Sequence, residues 1–255
     1  MLLAVDTGNT HTVLGLFDGE RLAADWRIAT RKDATADELG ALFRELFAGE
    51  GLLPSSVDGV IVSSVVPDWN GVLAAIARRT FARDALFVEP GIKTGLPILY
   101  ENPHEVGADR IVNAVAAMHR FGAPVLVLDF GTATTFDVVS AKGEYLGGVI
   151  APGLGISAEA LFQRAARLMR VDVKKPARII GRTTEESVQA GLFYGYVSLV
   201  EGVVKRLRAE LGVDAPVVAT GGLAPVFQAE LSFLTAVDPH LTLLGLRLIW
   251  DKNNR

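Results

Sequence analysis

The sequence predicts an α/β fold of two related lobes, each a mixed sheet flanked by helices, on three observations. Short apolar runs with strand character alternate with segments of helical hydrophobic period, the pattern of sheets covered by helices. The opening strand–turn–strand motif returns 123 positions later, pairing LAVDTGNTHTVLGLFDG with LVLDFGTATTFDVVSAK on Asp6 and Asp129. A repeat at about half the 255-residue length implies two lobes rather than a solenoid, whose repeats are far shorter.

Leu2 to Val5, Thr12 to Phe17 and Arg21 to Ile28 read as an antiparallel meander, turned at Gly8-Asn9 and Asp18-Gly19. Leu39, Leu42, Phe43, Leu46 and Phe47 share one helical face that covers a sheet. Val60 to Ser63 is a short buried strand, Pro67 opens a helix, and Leu86 to Val88 is a further strand. Pro90 to Pro103, with three prolines and two glycines, is a loop, and such loops often carry function.

A helical pattern runs from Glu105 to Phe121, followed by strands at Val125 to Leu128, Thr134 to Val139 and Tyr145 to Ile150. The lobes are divided near residue 117, as 1–116 and 117–255. In the second, a helix follows Pro152-Gly153, and a long one spans Thr184 to Leu211 behind a Thr183/Glu186 capping box. Val217 to Ala219 is the last clear strand, and an amphipathic stretch from Leu241 to Trp250 closes the second lobe.

Composition narrows the function classes. A formal net charge of −4 gives no basic field for nucleic acid or an anionic membrane, so anionic ligands must be held locally. With no cysteine there are no disulfides, thiolate metal sites or cysteine nucleophiles, which suits a reducing cytoplasm. The N-terminus lacks the pattern of a secretory signal, and no apolar run reaches the ~20 residues of a membrane span. His11, His104, His119 and His240 show no ligand spacing, so zinc is not expected.

The chemistry sits in four motifs. Asp6-Thr7-Gly8-Asn9-Thr10 is a strand-to-strand turn whose small glycine lets backbone N–H groups approach a phosphate, while the aspartate can hold a hydrated cation. A single copy is equally an Asx hairpin turn, but Asp129-Phe130-Gly131-Thr132-Ala133-Thr134-Thr135 repeats it. Two phosphate loops, neither of Walker type, point to a duplicated actin-like (ribonuclease H-like) fold. Gly221-Gly222 after a buried strand leaves room for a flat adenine or ribose, or is only a strand-to-helix turn. In Gly107-Ala108-Asp109-Arg110, Asp109 is either helix-dipole compensation or a general base, with Arg110 a clamp for a substrate carboxylate.

DTGNT at 6–10, GADR at 107–110, DFGTATT at 129–135 and GG at 221–222, in that order, resemble the type III pantothenate kinases. The resemblance implies transfer of the ATP γ-phosphate to the primary hydroxyl of pantothenate, the first step toward coenzyme A. It also implies Mg²⁺, a monovalent cation (K⁺ or NH₄⁺) and a homodimer. By motif, Asp109 is the base, with Gly107, Ala108 and Arg110 holding pantothenate. Asp129 binds the monovalent cation, and Thr132, Gly221 and Gly222 contact ATP. Asp6, Thr7, Gly8, Asn9, Thr10, His11, Thr12 and Val13 cradle its phosphates, with Asp6 also near Mg²⁺. Tyr100 and Thr184 match pantothenate-pocket positions, although one is also explained as a loop aromatic and the other as a helix start.

Rival readings are a sugar kinase or polyphosphate phosphatase of the same fold, and a nucleotide sensor that transfers no phosphate, which would not need the GADR carboxylate.

Overall fold

The computed structural model describes residues 1–165 and 168–254. The chain forms two compact units: Met1–His119 together with the segment from His240 onward, and Arg120–Pro239. This differs from the sequence-based division, which placed the C-terminal residues in the second lobe.

The first unit holds β1 (Leu2–Thr7), β2 (His11–Asp18), β3 (Arg21–Ala29), β4 (Gly59–Ser64) and β5 (Ala85–Phe87), in the order β3-β2-β1-β4-β5. The β1/β2 and β2/β3 pairs are antiparallel, and β1/β4 and β4/β5 parallel. Helix α1 (Ala36–Gly49) starts on a complete capping box, Thr35 accepting the Glu38 N–H while the Glu38 carboxylate accepts the Thr35 N–H. Helix α2 (Pro67–Phe81) has its proline at the first turn, where a missing N–H leaves no gap. Both helices bury their apolar stripes on one face of the sheet, where Leu39, Phe43, Phe47, Trp69 and Ile76 meet Leu3, Val5, Leu14 and Val62. Helix α3 (Ala108–Phe121) ends the first pass through the unit.

The last helix, α7 (Leu241–Asn253), lies on the other face of that sheet, and glycines explain why it fits. A Cβ on Gly15 would come within 2.7 Å of Leu243, and one on Gly59 would strike the Trp250 ring. In α7 itself, Gly245 sits where a side chain would meet the Val112 carbonyl of α3. Gly245→Ala is therefore expected to destabilise the protein by about 1–3 kcal/mol, read by urea unfolding, because the two helices must move apart. A loss below a few tenths of a kcal/mol would show that the contact yields freely.

The second unit repeats the plan with β6 (Val125–Phe130), β7 (Ala133–Val139), β8 (Tyr145–Pro152), β9 (Val217–Thr220) and β10 (Leu234–Val237), ordered β10-β9-β6-β7-β8. The pairing senses match those of the first sheet strand for strand. Helices α4 (Leu154–Arg164), α5 (Thr184–Leu211) and α6 (Ala224–Phe227) complete it. Phe193, Tyr196, Val197, Val200 and Val204 of α5 bury against Leu126, Leu128 and Phe136, so the apolar face of the long helix is core. Its cap is only half the expected box: Thr183 accepts the Glu186 N–H, but the Glu186 carboxylate takes the Arg182 N–H instead.

Two further corrections concern the repeat. β10 follows the strand read as the last: it is a four-residue element whose register slips between Leu234 and Ala236, too short and irregular to show a period. The second hairpin is also one residue tighter than the first, with Thr7 opposite Thr12 but Phe130 opposite Thr134. Thr12 therefore corresponds in space to Thr134, not to Thr135. Both are buried and bond another hydroxyl, the half-buried Thr30 for the one and the buried Tyr196 for the other.

Candidate active site

The first hairpin is placed by the β1/β2 ladder, which ends at the Thr7–Thr12 pair. The Gly8 N–H donates to the His11 carbonyl at 3.0 Å, closing the turn and leaving Asn9, Thr10 and His11 exposed. Thr7 and Thr12 are wholly buried, so those two residues of the predicted cradle turn their side chains into the core. Asp6, partly exposed, pairs in register with Val13 on one side and Ser63 on the other.

Next to this hairpin lies the start of α3. The Val65 N–H donates to the Thr7 carbonyl at 3.0 Å, and Val65 Cγ1 lies 3.7 Å from where a Cβ on Gly107 would stand. One residue after β4 thus touches both the phosphate-type turn and the Gly107-Ala108-Asp109-Arg110 turn. The Gly107 carbonyl accepts the Arg110 and Ile111 N–H groups, and Asp109 Oδ1 accepts the Arg110 N–H at 2.9 Å. Burial raises the Asp109 pKa above the usual carboxylate value, opposed by the Arg110 N–H and by the Arg110 charge. A helix start normally lowers a carboxyl pKa, so here desolvation wins. Arg110 itself is buried.

In the second unit the Gly131 N–H donates to the Ala133 carbonyl at 3.1 Å, leaving Thr132 exposed. The Thr132 carbonyl accepts the Gly153 N–H, and a Cβ on Gly153 would strike that carbonyl, so the start of α4 fixes the turn. Gly221 follows β9 with φ +91°, and a Cβ there would meet Asp129 Oδ1 and come within 2.6 Å of the Phe130 carbonyl oxygen. A carboxylate and a carbonyl oxygen thus converge where no side chain stands. Gly222 beside it is exposed.

Among the described residues no three His, Asp or Glu side chains gather as a metal site. Mg²⁺ is commonly held by one or two carboxylates plus substrate phosphates, and Asp6 beside an exposed turn fits that mode. Tyr100 is exposed on the loop after β5, and Thr184 is exposed at the head of α5, beside an open depression of about 800 Å³ shared with Thr183, Ser187 and Val188.

Two residues escaped the sequence reading. Ser63, the last residue but one of β4, lies beside Asp6, and Thr220 ends β9 beside Asp129, each next to the aspartate of its sheet's first strand. Both are buried, and the Ser63 hydroxyl has no hydrogen-bond partner. The signal available was a hydroxyl residue at or next to the end of both apolar strands.

The duplicated five-stranded sheets, each with an Asp-x-Gly hairpin at its first turn, define a protein of the duplicated actin-like fold class. Solved structures bear out the fold. The ROK hexokinase of Thermus thermophilus matches with a TM-score of 0.50 at 18% identity, covering 97% of either chain. Component A of (R)-2-hydroxyglutaryl-CoA dehydratase from Acidaminococcus fermentans matches at 0.55 and 15%, covering 100% of this chain and 99% of that one.

Sequence relatives carry the identification further. The family model for type III pantothenate kinase matches residues 2–206. The type III pantothenate kinase of Myxococcus xanthus is 56% identical over 254 residues, covering 100% of this chain and 99% of the relative. That of Geobacter sulfurreducens is 55% identical over 254 residues, covering 99% of each. The chain belongs to the type III pantothenate kinase family.

Proposed function

We propose that this protein transfers the γ-phosphate of ATP to the primary hydroxyl of pantothenate, giving 4′-phosphopantothenate for coenzyme A synthesis. The observation that carries the assignment of roles is Asp109: a half-buried carboxyl of raised pKa on the first turn of α3, one contact away from the Asp6–His11 hairpin. A carboxyl so placed accepts the hydroxyl proton as the acceptor attacks.

Arg110 pairs with the pantothenate carboxylate, Gly107 and Ala108 let the acceptor lie close to the backbone, and Tyr100 contacts it; Thr184, in the second unit, is a further candidate for acceptor binding. The turn residues Gly8 to His11 bind phosphate oxygens, and Thr7, Thr12 and Val13, held in the sheet, support that turn from below. Thr132, Gly221 and Gly222 contact the nucleotide. Mg²⁺ would supply charge neutralisation on the phosphates, with Asp6 the carboxylate that would hold it. The converging oxygens of Asp129 and Phe130 support a K⁺ or NH₄⁺ site there.

Among the described residues no helix is long and apolar enough to cross a membrane. The chain's net negative charge and lack of cysteine support work in the cytoplasm, on small-molecule substrates. A homodimer is supported by large apolar side chains of the second unit that stand in solvent, among them Ile150, Met169, Ile179 and Ile180.

The test is an ATP-consumption assay with pantothenate and Mg²⁺, run with Na⁺, K⁺ or NH₄⁺, with the product identified by mass. Phosphopantothenate formed only with K⁺ or NH₄⁺ is the expected result. Equal rates in Na⁺ alone would remove the cation site, and ATP binding without pantothenate-dependent turnover would favour a nucleotide sensor.

A further inference from the structure

The loop from Val88 to Asn102 carries Tyr100 and leads into Gly107, yet it has little regular structure of its own. Short-range bonds shape parts of it: the Ile92 N–H reaches the Glu89 carbonyl, and Thr94 Oγ1 accepts the Leu96 N–H. Ile92, Thr94, Leu96 and Ile98 wall a cavity of about 380 Å³ whose floor includes Val106, Ala108 and Ile111 at the start of α3. The loop's position therefore shapes a cavity that reaches Ala108, the residue before Asp109.

What ties the loop down comes from the far end of the chain. Asn253, the last residue of α7, accepts the Lys93 N–H at 3.2 Å through Oδ1 and donates through Nδ2 to the Lys93 carbonyl at 2.9 Å. The same Nδ2 donates to the Ile249 carbonyl at 2.8 Å, which fixes the amide's orientation on its own helix. One side chain thus satisfies both backbone groups of a single loop residue, as a neighbouring strand would. Gly95, at φ +73°, completes the fit: a Cβ there would come within 2.7 Å of Lys252 Cε.

We propose that Asn253 is a positioning residue for the phosphoryl acceptor. By holding Lys93 it sets the Pro90–Pro103 loop, and through it Tyr100 and the approach to Gly107-Ala108-Asp109-Arg110. The inference rests on the reading of those residues as the pantothenate site. Its energetic logic is preorganisation: a loop held before the ligand arrives loses less freedom on binding. The nucleotide turn at Gly8–His11 shares none of these bonds, so the effect is confined to the acceptor.

The experiment is steady-state kinetics of Asn253→Ala and Asn253→Gln, with Gly95→Ala as a second route to the same displacement, each paired with a thermal unfolding curve. For Asn253→Ala and Gly95→Ala the KM for pantothenate is expected to rise by about tenfold while kcat and the KM for ATP stay within about twofold. Asn253→Gln, which keeps both amide functions, should recover part of the loss. Hydrogen exchange at residues 90–100 should quicken in Asn253→Ala without pantothenate present.

Parallel rises in both KM values, or a lower unfolding temperature with pantothenate KM unchanged, would reduce Asn253 to a helix-end bond and overturn the proposal. Asp109→Asn run alongside separates the two levels. If it keeps near-normal turnover, the reading of the acceptor site fails; if it is inactive while Asn253→Ala binds pantothenate normally, the positioning role alone fails.

Discussion

Asp109→Asn is expected to lower kcat by about 10²–10⁴-fold while ATP still binds, because the amide keeps the shape of the side chain but cannot take the acceptor's proton. Measurement of turnover, with nucleotide binding followed by a fluorescent analogue, checks both halves. The same substitution should stabilise the fold at neutral pH. Burial raises the Asp109 pKa, so the folded chain holds this proton to higher pH than the unfolded chain does. Protonation therefore favours the fold. That contribution is full below the unfolded value of about 3.9 and is lost as the pH rises through the raised folded value. Above the raised folded value the wild-type chain buries a charge that the asparagine variant does not. Unfolding curves at pH 7 and near pH 4 should show the variant's advantage shrinking in acid. An unchanged kcat would take Asp109 out of the reaction, and a variant less stable than wild type at pH 7 would mean that the ionised carboxylate has favourable partners outweighing its burial.

The second large effect is expected at Gly221. Replacement by alanine forces a residue with a side chain to φ +91° and drives its Cβ into Asp129 Oδ1 and the Phe130 carbonyl. The strained backbone alone costs about 1–3 kcal/mol, and relief requires moving the oxygens apart. The variant should therefore lose stability by at least that amount and lose its response to K⁺ or NH₄⁺, read as a rate no longer raised by either ion. Retained activation by K⁺ with a normal half-saturation would place the cation elsewhere.

Much of this was legible because the evidence is periodic or repeated. Strands β1 to β4 and β6 to β9 fell close to their expected places, since each is an apolar run bounded by turn residues, and Pro67 and Thr183 marked helix starts by local chemistry that needs no tertiary context. The four motifs were readable as motifs, but not which side chains face solvent. Thr7 and Thr12 look like phosphate ligands in a row of polar residues, and only the pleat of the strands shows that they point into the core. The one-residue difference between the hairpins was hidden because threonines occupy both 134 and 135, so a gapless alignment looked right. Ser63 and Thr220 were invisible for a related reason: their interest comes from lying beside an aspartate on the adjacent strand, a relation of register and not of sequence. The role of Asn253 depends on a bond to a residue 160 positions earlier, which no local pattern announces.

The return of the last helix to the first unit has a consequence for the order of assembly during synthesis. Arg120–Pro239 is complete once its own residues have left the ribosome, whereas Met1–His119 waits with the α7 face of its sheet uncovered until the final segment emerges. The half of the chain made first is the half that finishes folding last. Gly15 and Gly59 keep open through that interval the flat apolar berth that Leu243 and Trp250 finally fill.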